Sequence, residues 1–274
     1  MTICLAAKAA SNDAIVMVSD CAPFLPNALQ GEEAAACKIP AVSRHWCVLF
    51  AAEKSGSVYS ILRDLRTRLG AYEAPKTLAL IRDAVAAAYQ AEFHRQLAAL
   101  HLHRFGFHDI DEFRRDGLQQ LGLPDFSRMA GMVEQFDLGI EMLVCGFGPH
   151  GGAHVLSISN PGSLSDHDLP GFGAVGSGAE MARALLAGRA FDRHDNATTT
   201  YRLCDAKFRV EAAGMAGSVT SVLALNQDGL FAMMSGREVE TVRTAWLDTL
   251  RVSVPVSAVA AIDATLGDVF RSRS

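Results

Sequence analysis

The hydrophobic pattern starts at once. "TICLAAKA" and "AIVMVSD" are two nearly unbroken apolar runs joined around "SND", a Ser-Asn-Asp turn signal. The spacing predicts a hairpin, and the continuity of both arms predicts a sheet covered on both faces. A polar, irregular loop follows, "CAPFLPNALQGEEAAA". After it "CKIPAVS" and "HWCVLFAA" form a second predicted strand pair. Residues 55–136 then change to a helical period. "SVYSILRDLRTRLG" places Val58, Ile61, Leu62, Leu65 and Leu69 on one face and stops at Gly70. "APKTLALIRDAVAAAYQAEFHRQLAALHLH" predicts a long helix with Pro75 near its first turn. "DIDEFRRDGLQQLG" and "PDFSRMAGMVEQF" predict two shorter ones.

Strand patterns return in "LGIEMLVCGFG" and "AHVLSIS", with "PHGG" between them as a hairpin turn. "FGAVGSG" predicts a short strand entering a Gly-Ser-Gly turn. Two helices follow, in "AEMARALLAG" and "TTTYRLCDAKFRVEAAG". A third hairpin turns at Asp228-Gly229. The tail mixes both periods. Strands, paired helices, strands, paired helices and strands again favour α+β layers over alternating βαβ units. The expected architecture is a four-layer αββα sandwich, with two antiparallel sheets between helix layers. No repeat or linker divides it, so residues 1–274 read as one domain.

Composition changes this picture little. The 274 residues are 50% hydrophobic and 20% charged, with a net charge of -5. That balance supplies no broad basic field, so no nucleic-acid partner is expected. No apolar run approaches the ~18 residues of a membrane span, so no membrane partner is expected. The N-terminus lacks a basic segment and Lys8 interrupts its apolar run, so a secretory signal is not expected and the cytoplasm is the expected location. The six cysteines, Cys4, Cys21, Cys37, Cys47, Cys145 and Cys204, form no CxxC pair and read as reduced core residues. Cys4 inside an apolar strand is a core side chain rather than a nucleophile. His94, His101, His103 and His108 cluster in sequence, but His103 leaves the face shared by the first two. No metal and no cofactor are expected.

The candidate chemistry sits at the start of the chain. An N-terminal threonine holds a nucleophile and a base in one residue. Its hydroxyl is too weak an acid to attack an amide unaided. Its α-amine, with a reference pKa of about 7.7–8.0, is partly neutral near pH 7 and can take the hydroxyl proton. A nearby lysine would lower that pKa by repulsion, and an aspartate would hold the lysine in place. Asp20 closes the second strand and Lys38 opens the third. The loop "FAAEKSG" could offer backbone N–H groups to an oxyanion.

The opening "MTICL", the "VSD" ending the second strand, "CKI", and "GSG" before a helix resemble the proteasome β-subunit fold of N-terminal-nucleophile hydrolases. The chain is most similar there to the bacterial ancestral-β-subunit (Anbu-type) branch. The resemblance implies that Thr2 is the nucleophile, Asp20 its acidic partner and Lys38 the lysine that tunes the amine. It gives Ser177 a place beside the amino terminus. Ala52 falls where the family has the glycine whose N–H serves the oxyanion hole. Taken alone, Ser177 is a helix N-cap residue. Besides Ala52, two further positions depart from the family: Ala213 and Ala216 stand where an aspartate and a serine occur, with Ser218 the candidate stand-in hydroxyl. Residues of about 98–137 extend the first helical pair.

The function expected from this resemblance is a threonine-type peptidase acting on peptides or unfolded protein. A hydrolase of small non-peptide amides keeps the same chemistry. A catalytically silent structural subunit of a proteasome-like assembly is the alternative from a different class. Homo-oligomerisation is expected, with Leu97, Leu100, Leu102, Phe105 and Phe107 as an interface patch; an unfoldase partner is left open.

Overall fold

The fold is given by a computed structural model that describes residues 1–9, 12–20, 39–52, 55–188 and 191–249. Lys38, Cys21 and Cys37 lie outside the described residues.

Among the described residues, ten strands form two antiparallel sheets. The first has the order β10-β9-β2-β1-β8, from β1 (Cys4–Ala9), β2 (Ala14–Asp20), β8 (Phe172–Val175), β9 (Thr220–Asn226) and β10 (Phe231–Met233). The second runs β3-β4-β5-β6-β7, from β3 (Ala41–Ser43), β4 (Trp46–Ala52), β5 (Ile140–Phe147), β6 (Ala153–Ser159) and β7 (Ser163–Asp166). The unbroken apolar runs have a simple cause. Every residue of β1 and β2 is buried, because side chains of opposite parity enter different apolar layers. Ile3, Leu5, Ala7, Val16 and Val18 face helices, whereas Cys4, Ala6, Ile15 and Met17 face the second sheet.

The same alternation divides the second sheet. Leu49, Leu143, Cys145 and Val155 meet the first sheet, while Val48, Met142, Val144 and Leu156 meet helices α1 (Ser55–Leu69) and α2 (Leu78–Leu97). On the opposite outer face, α4 (Ala179–Leu186), α5 (Asn196–Ala212) and α6 (Gly236–Thr249) cover the first sheet. Three apolar layers therefore separate four layers of secondary structure, and the protein is an αββα sandwich as the sequence predicts. Cys4, Cys47, Cys145 and Cys204 are buried thiols. Burial pushes the Cys145 thiol well up and the Cys204 thiol up to about 12.

Several local expectations change. Helix α2 starts at Leu78, where the Thr77 hydroxyl caps it by accepting from the Leu80 N–H, so Pro75 precedes the helix. Its C-terminal end widens into a π turn over Ala98–Leu102. The two shorter helices run on as α3 (Ile110–Glu134), kinked where Gly122 leaves helical geometry at φ 75°. Strand β7, "SLSD", has no apolar signal of its own and arises by pairing with β6.

The expected interface patch is largely internal. Leu97, Leu102 and Phe107 are buried within the chain, the latter two in a small core with Ala98, Phe113 and Met129. Of the five residues only Leu100 is strongly exposed, at 48%. The extension at 98–137 has used most of its apolar side chains to hold itself together. His94 and His101 lie against the rings of Phe93 and Phe136. No group of three or more potential metal ligands occurs among the described residues, and no described helix is long and apolar enough to cross a membrane.

Candidate functional site

Where the two sheets part at one end, they leave an open cleft of about 740 Å³ lined in part by Thr2, Ala51, Ala52, Glu141, Asn160 and Ser177. Parity explains the lining. Cys4 and Ala6 face the inter-sheet layer, and two residues upstream Thr2 falls on the same side. Ala51 and Glu141, paired across β4 and β5, lie on the inter-sheet side as well.

The Thr2 backbone is fixed by two groups of bonds. Its N–H donates to Ser177 Oγ at 2.9 Å. The Ser177 hydroxyl lies 3.3 Å from the Thr2 carbonyl oxygen and 3.4 Å from that of Met215. The Gly178 N–H also reaches the Thr2 carbonyl, at 3.4 Å. Ser177 does not cap helix α4. Gly178 holds that position without a side-chain cap, and the serine turns to the chain start instead. This requires a tight turn. Gly176 has φ 100°, and a Cβ there would collide with the Thr2 carbonyl.

Asp20 is buried, 1% exposed. One carboxylate oxygen accepts from the Ile3 N–H at 3.1 Å and the other from the Gly217 N–H at 3.2 Å. Its own N–H donates to the Ile3 carbonyl at 3.1 Å. Asp20 therefore ties the residue next to Thr2 to the loop after α5. The structure brings Thr2, Asp20, Ser177 and Ala52 to one end of the sandwich. Lys38 belongs to the undescribed stretch that leads into Ile39 and β3.

The two departures also find their places. Ala213 is the exposed C-cap of α5, and Ala216 packs partly against the helix-side core. Ser218 does not line the cleft; its carbonyl accepts from Arg243 at 3.0 Å.

Several contributors carry no motif. Glu141 accepts from the Gly176 N–H at 2.7 Å, so a side chain of the second sheet holds the turn of the first. Asn160 fastens the rim by accepting from the Leu138 N–H at 3.2 Å and donating to the Phe136 carbonyl at 3.1 Å. Tyr89 of α2 donates to the Ile140 carbonyl at 2.8 Å behind the cleft. Burial pushes its phenol pKa up, and the negative charges of Asp137 and Glu141 add to that. Below the loop after α5, the fully buried Lys207 ammonium donates to the Gly217 carbonyl at 2.7 Å and pairs with Glu211. Burial lowers the Lys207 pKa, Glu211 opposes that shift, Arg243 adds to it and Asp20 opposes it.

Chemically, the cleft offers the Thr2 hydroxyl just before β1, a serine against the adjoining nitrogen, and a buried carboxylate bonded to the next residue. No known family model matches the chain, and no curated protein is detectably similar to it in sequence.

Proposed function

We propose that the protein is an N-terminal threonine hydrolase of peptide bonds, a proteasome-like subunit whose nucleophile is Thr2. The observation that carries this is the 2.9 Å contact between the Thr2 nitrogen and Ser177 Oγ at the mouth of an open cleft. The proposal requires Met1 to be removed, so that this nitrogen becomes an α-amine. Met1 is 83% exposed and accessible for removal.

In the proposed reaction the neutral amine takes the proton of the Thr2 hydroxyl as the oxygen attacks the amide carbon. The carbonyl electrons move to oxygen, and backbone N–H groups near Ala52 are the candidate donors to that oxyanion. Collapse of the tetrahedral species breaks the C–N bond, and the leaving nitrogen receives the proton from the threonine ammonium. Water then adds to the resulting ester with the amine again as base. This releases the acid and restores Thr2. Asp20 and Ser177 hold the strand end so that the reacting atoms keep their orientation. Lys38, by the resemblance, would keep the amine neutral through charge repulsion.

One observation favours a silent structural subunit instead: Ala213 and Ala216 bring neither a carboxylate nor a hydroxyl to the site. The two readings separate in one measurement, intact mass before and after treatment with a peptide epoxyketone, which reacts with a hydroxyl and an amine on the same residue. The expected result is loss of Met1 and a single adduct that maps to Thr2. Retained Met1 in a protein that still hydrolyses peptides would overturn the mechanism, and absence of any adduct would leave the silent subunit. The expected homo-oligomer belongs to the same proposal, and light scattering at the monomer mass would overturn it.

A further inference from the structure

We propose that Lys207 is a positioning residue for the Thr2 centre, gripping the carbonyl of the Gly217 peptide whose neighbouring N–H is held by Asp20; this rests on the reading of Thr2 as nucleophile.

Lys207 lies on the apolar stripe of α5 with Leu203 and Val210, and its side chain has no exposed surface. A buried ammonium is costly unless its charge and its donors are met. Here the environment from every packed element is specific. From its own helix Glu211 pairs with the ammonium. From α6, Arg243 meets the same Glu211 carboxylate through both Nη1, at 2.9 Å, and Nη2, at 3.2 Å. From β2, Asp20 adds a favourable negative charge. The Phe208 ring lies under both cations, 4.2 Å from Arg243 and 5.9 Å from Lys207.

The bonds leaving this cluster converge on one loop. Lys207 takes the Gly217 carbonyl at 2.7 Å. Arg243 takes the Ser218 carbonyl at 3.0 Å and the Thr220 hydroxyl at 3.3 Å. That loop supplies the Gly217 N–H to Asp20 and the Met215 carbonyl to Ser177. Asp20 and Ser177 are side chains that hold Ile3 and Thr2. Two cations bridged by one carboxylate thus clamp the backbone to which the nucleophile's supports are attached. The clamp lies where Ala213 and Ala216 bring no polar side chain to the stretch between α5 and Gly217. Lys207 is not among the residues lining the cleft, so it acts through the loop and not on substrate.

The test compares wild type with Lys207→Met, a swap of similar length that removes the donor and leaves Glu211 paired with Arg243. Both are assayed well below their melting temperatures, with circular dichroism as the fold control. The rate of epoxyketone adduct formation at Thr2 and kcat for a peptide amide should fall by about ten- to a hundredfold. KM should stay within about threefold. Lys207→Arg, which keeps a cation and a donor, should recover part of the rate. Labelling of folded Lys207→Met at the wild-type rate would overturn the proposal, and so would a change confined to KM. A wild type that takes no label at Thr2 would instead refute the nucleophile. Should Lys207→Met be insoluble, Arg243→Gln at the outer end of the clamp carries the test. It should slow labelling at constant KM, and wild-type labelling by it would overturn the proposal.

Discussion

Replacing Asp168 by asparagine should destabilise the sandwich strongly at neutral pH and hardly at all near pH 2. Asp168 follows β7 and its carboxylate accepts three bonds: His154 Nδ1 at 2.6 Å, the Val155 N–H at 3.0 Å and the Lys8 ammonium at 2.9 Å. Lys8 sits on the inter-sheet side of β1 with its side chain only 8% exposed, so Asp168 is its counter-charge. Burial alone would raise the Asp168 pKa. The bonds from His154, Val155 and Lys8, with the Lys8 charge, outweigh burial and hold it at about 2 against an ordinary 3.8. At about 1.36 kcal/mol per pH unit, that gap is roughly 2.5 kcal/mol. The folded-state value is depressed, so the contribution is fully present above pH 3.8 and disappears as pH falls through about 2. Asp168→Asn also strands the Lys8 charge, and removing one partner of a buried pair costs about 3–5 kcal/mol. Because Asp168 is 27% exposed, the loss should lie toward the lower figure, ~2–3 kcal/mol. Urea unfolding of both proteins from pH 7 down to pH 2 measures it. A loss below ~1 kcal/mol at pH 7, or one that stays constant down to pH 2, would refute the argument. Adding Lys8→Met to Asp168→Asn should recover much of the loss, since the stranded charge goes with it.

Three shorter predictions concern the cleft. Thr2→Ala should abolish hydrolysis and epoxyketone labelling while changing stability by less than ~1 kcal/mol, as measured by urea unfolding; activity within tenfold of wild type would remove Thr2 as nucleophile. Gly176→Ala should cost roughly 1–3 kcal/mol from its positive φ alone and abolish labelling, because the new methyl runs into the Thr2 carbonyl; a normal labelling rate would refute the account of this turn. Glu141→Ala should lower kcat by about tenfold or more by releasing the Gly176 N–H, and Glu141→Gln, which keeps an acceptor, should restore most of it; equal defects in both would show that the charge matters and not the bond.

The strands and their layers were legible because apolar parity carries them. Residues of β1 and β2 are apolar on both sides, and both sides are buried. The hairpins at "PHGG" and Asp228-Gly229 followed from turn chemistry. Strand β7 was not legible, since "SLSD" owes its conformation to the neighbour it pairs with. The leucines of residues 97–102 misled because helical apolarity does not distinguish a surface for a partner from a core made by the same chain. At the candidate site, Thr2, Asp20 and Ser177, which the structure brings to one end of the sandwich, were singled out through an ordered set of short motifs. Glu141 was not, because a carboxylate on a strand acquires its role only when a turn 35 residues away comes to it. Lys207 did leave a sign. A lysine on an apolar stripe, at i+4 from Leu203 with Glu211 a further turn on, breaks the pattern of a solvated face.

The two sheets are joined by polar ties at both ends of an apolar interior. At the cleft end Glu141 crosses to Gly176, and the Cys4 thiol meets the Phe50 carbonyl at 3.3 Å. Toward the other end Lys8 crosses to Asp168. Between them, Leu49, Leu143, Cys145 and Val155 act as spacers whose bulk fixes how far apart the sheets stand. The width of the cleft mouth is thus set by filling material that does not line the cleft. A methylene lost or gained in that filling forces close-packed neighbours to shift. Turnover is therefore expected to be sensitive to interior volume along the whole length of the sandwich, and its thermal limit to arrive when the spacing slackens, before either sheet has come apart.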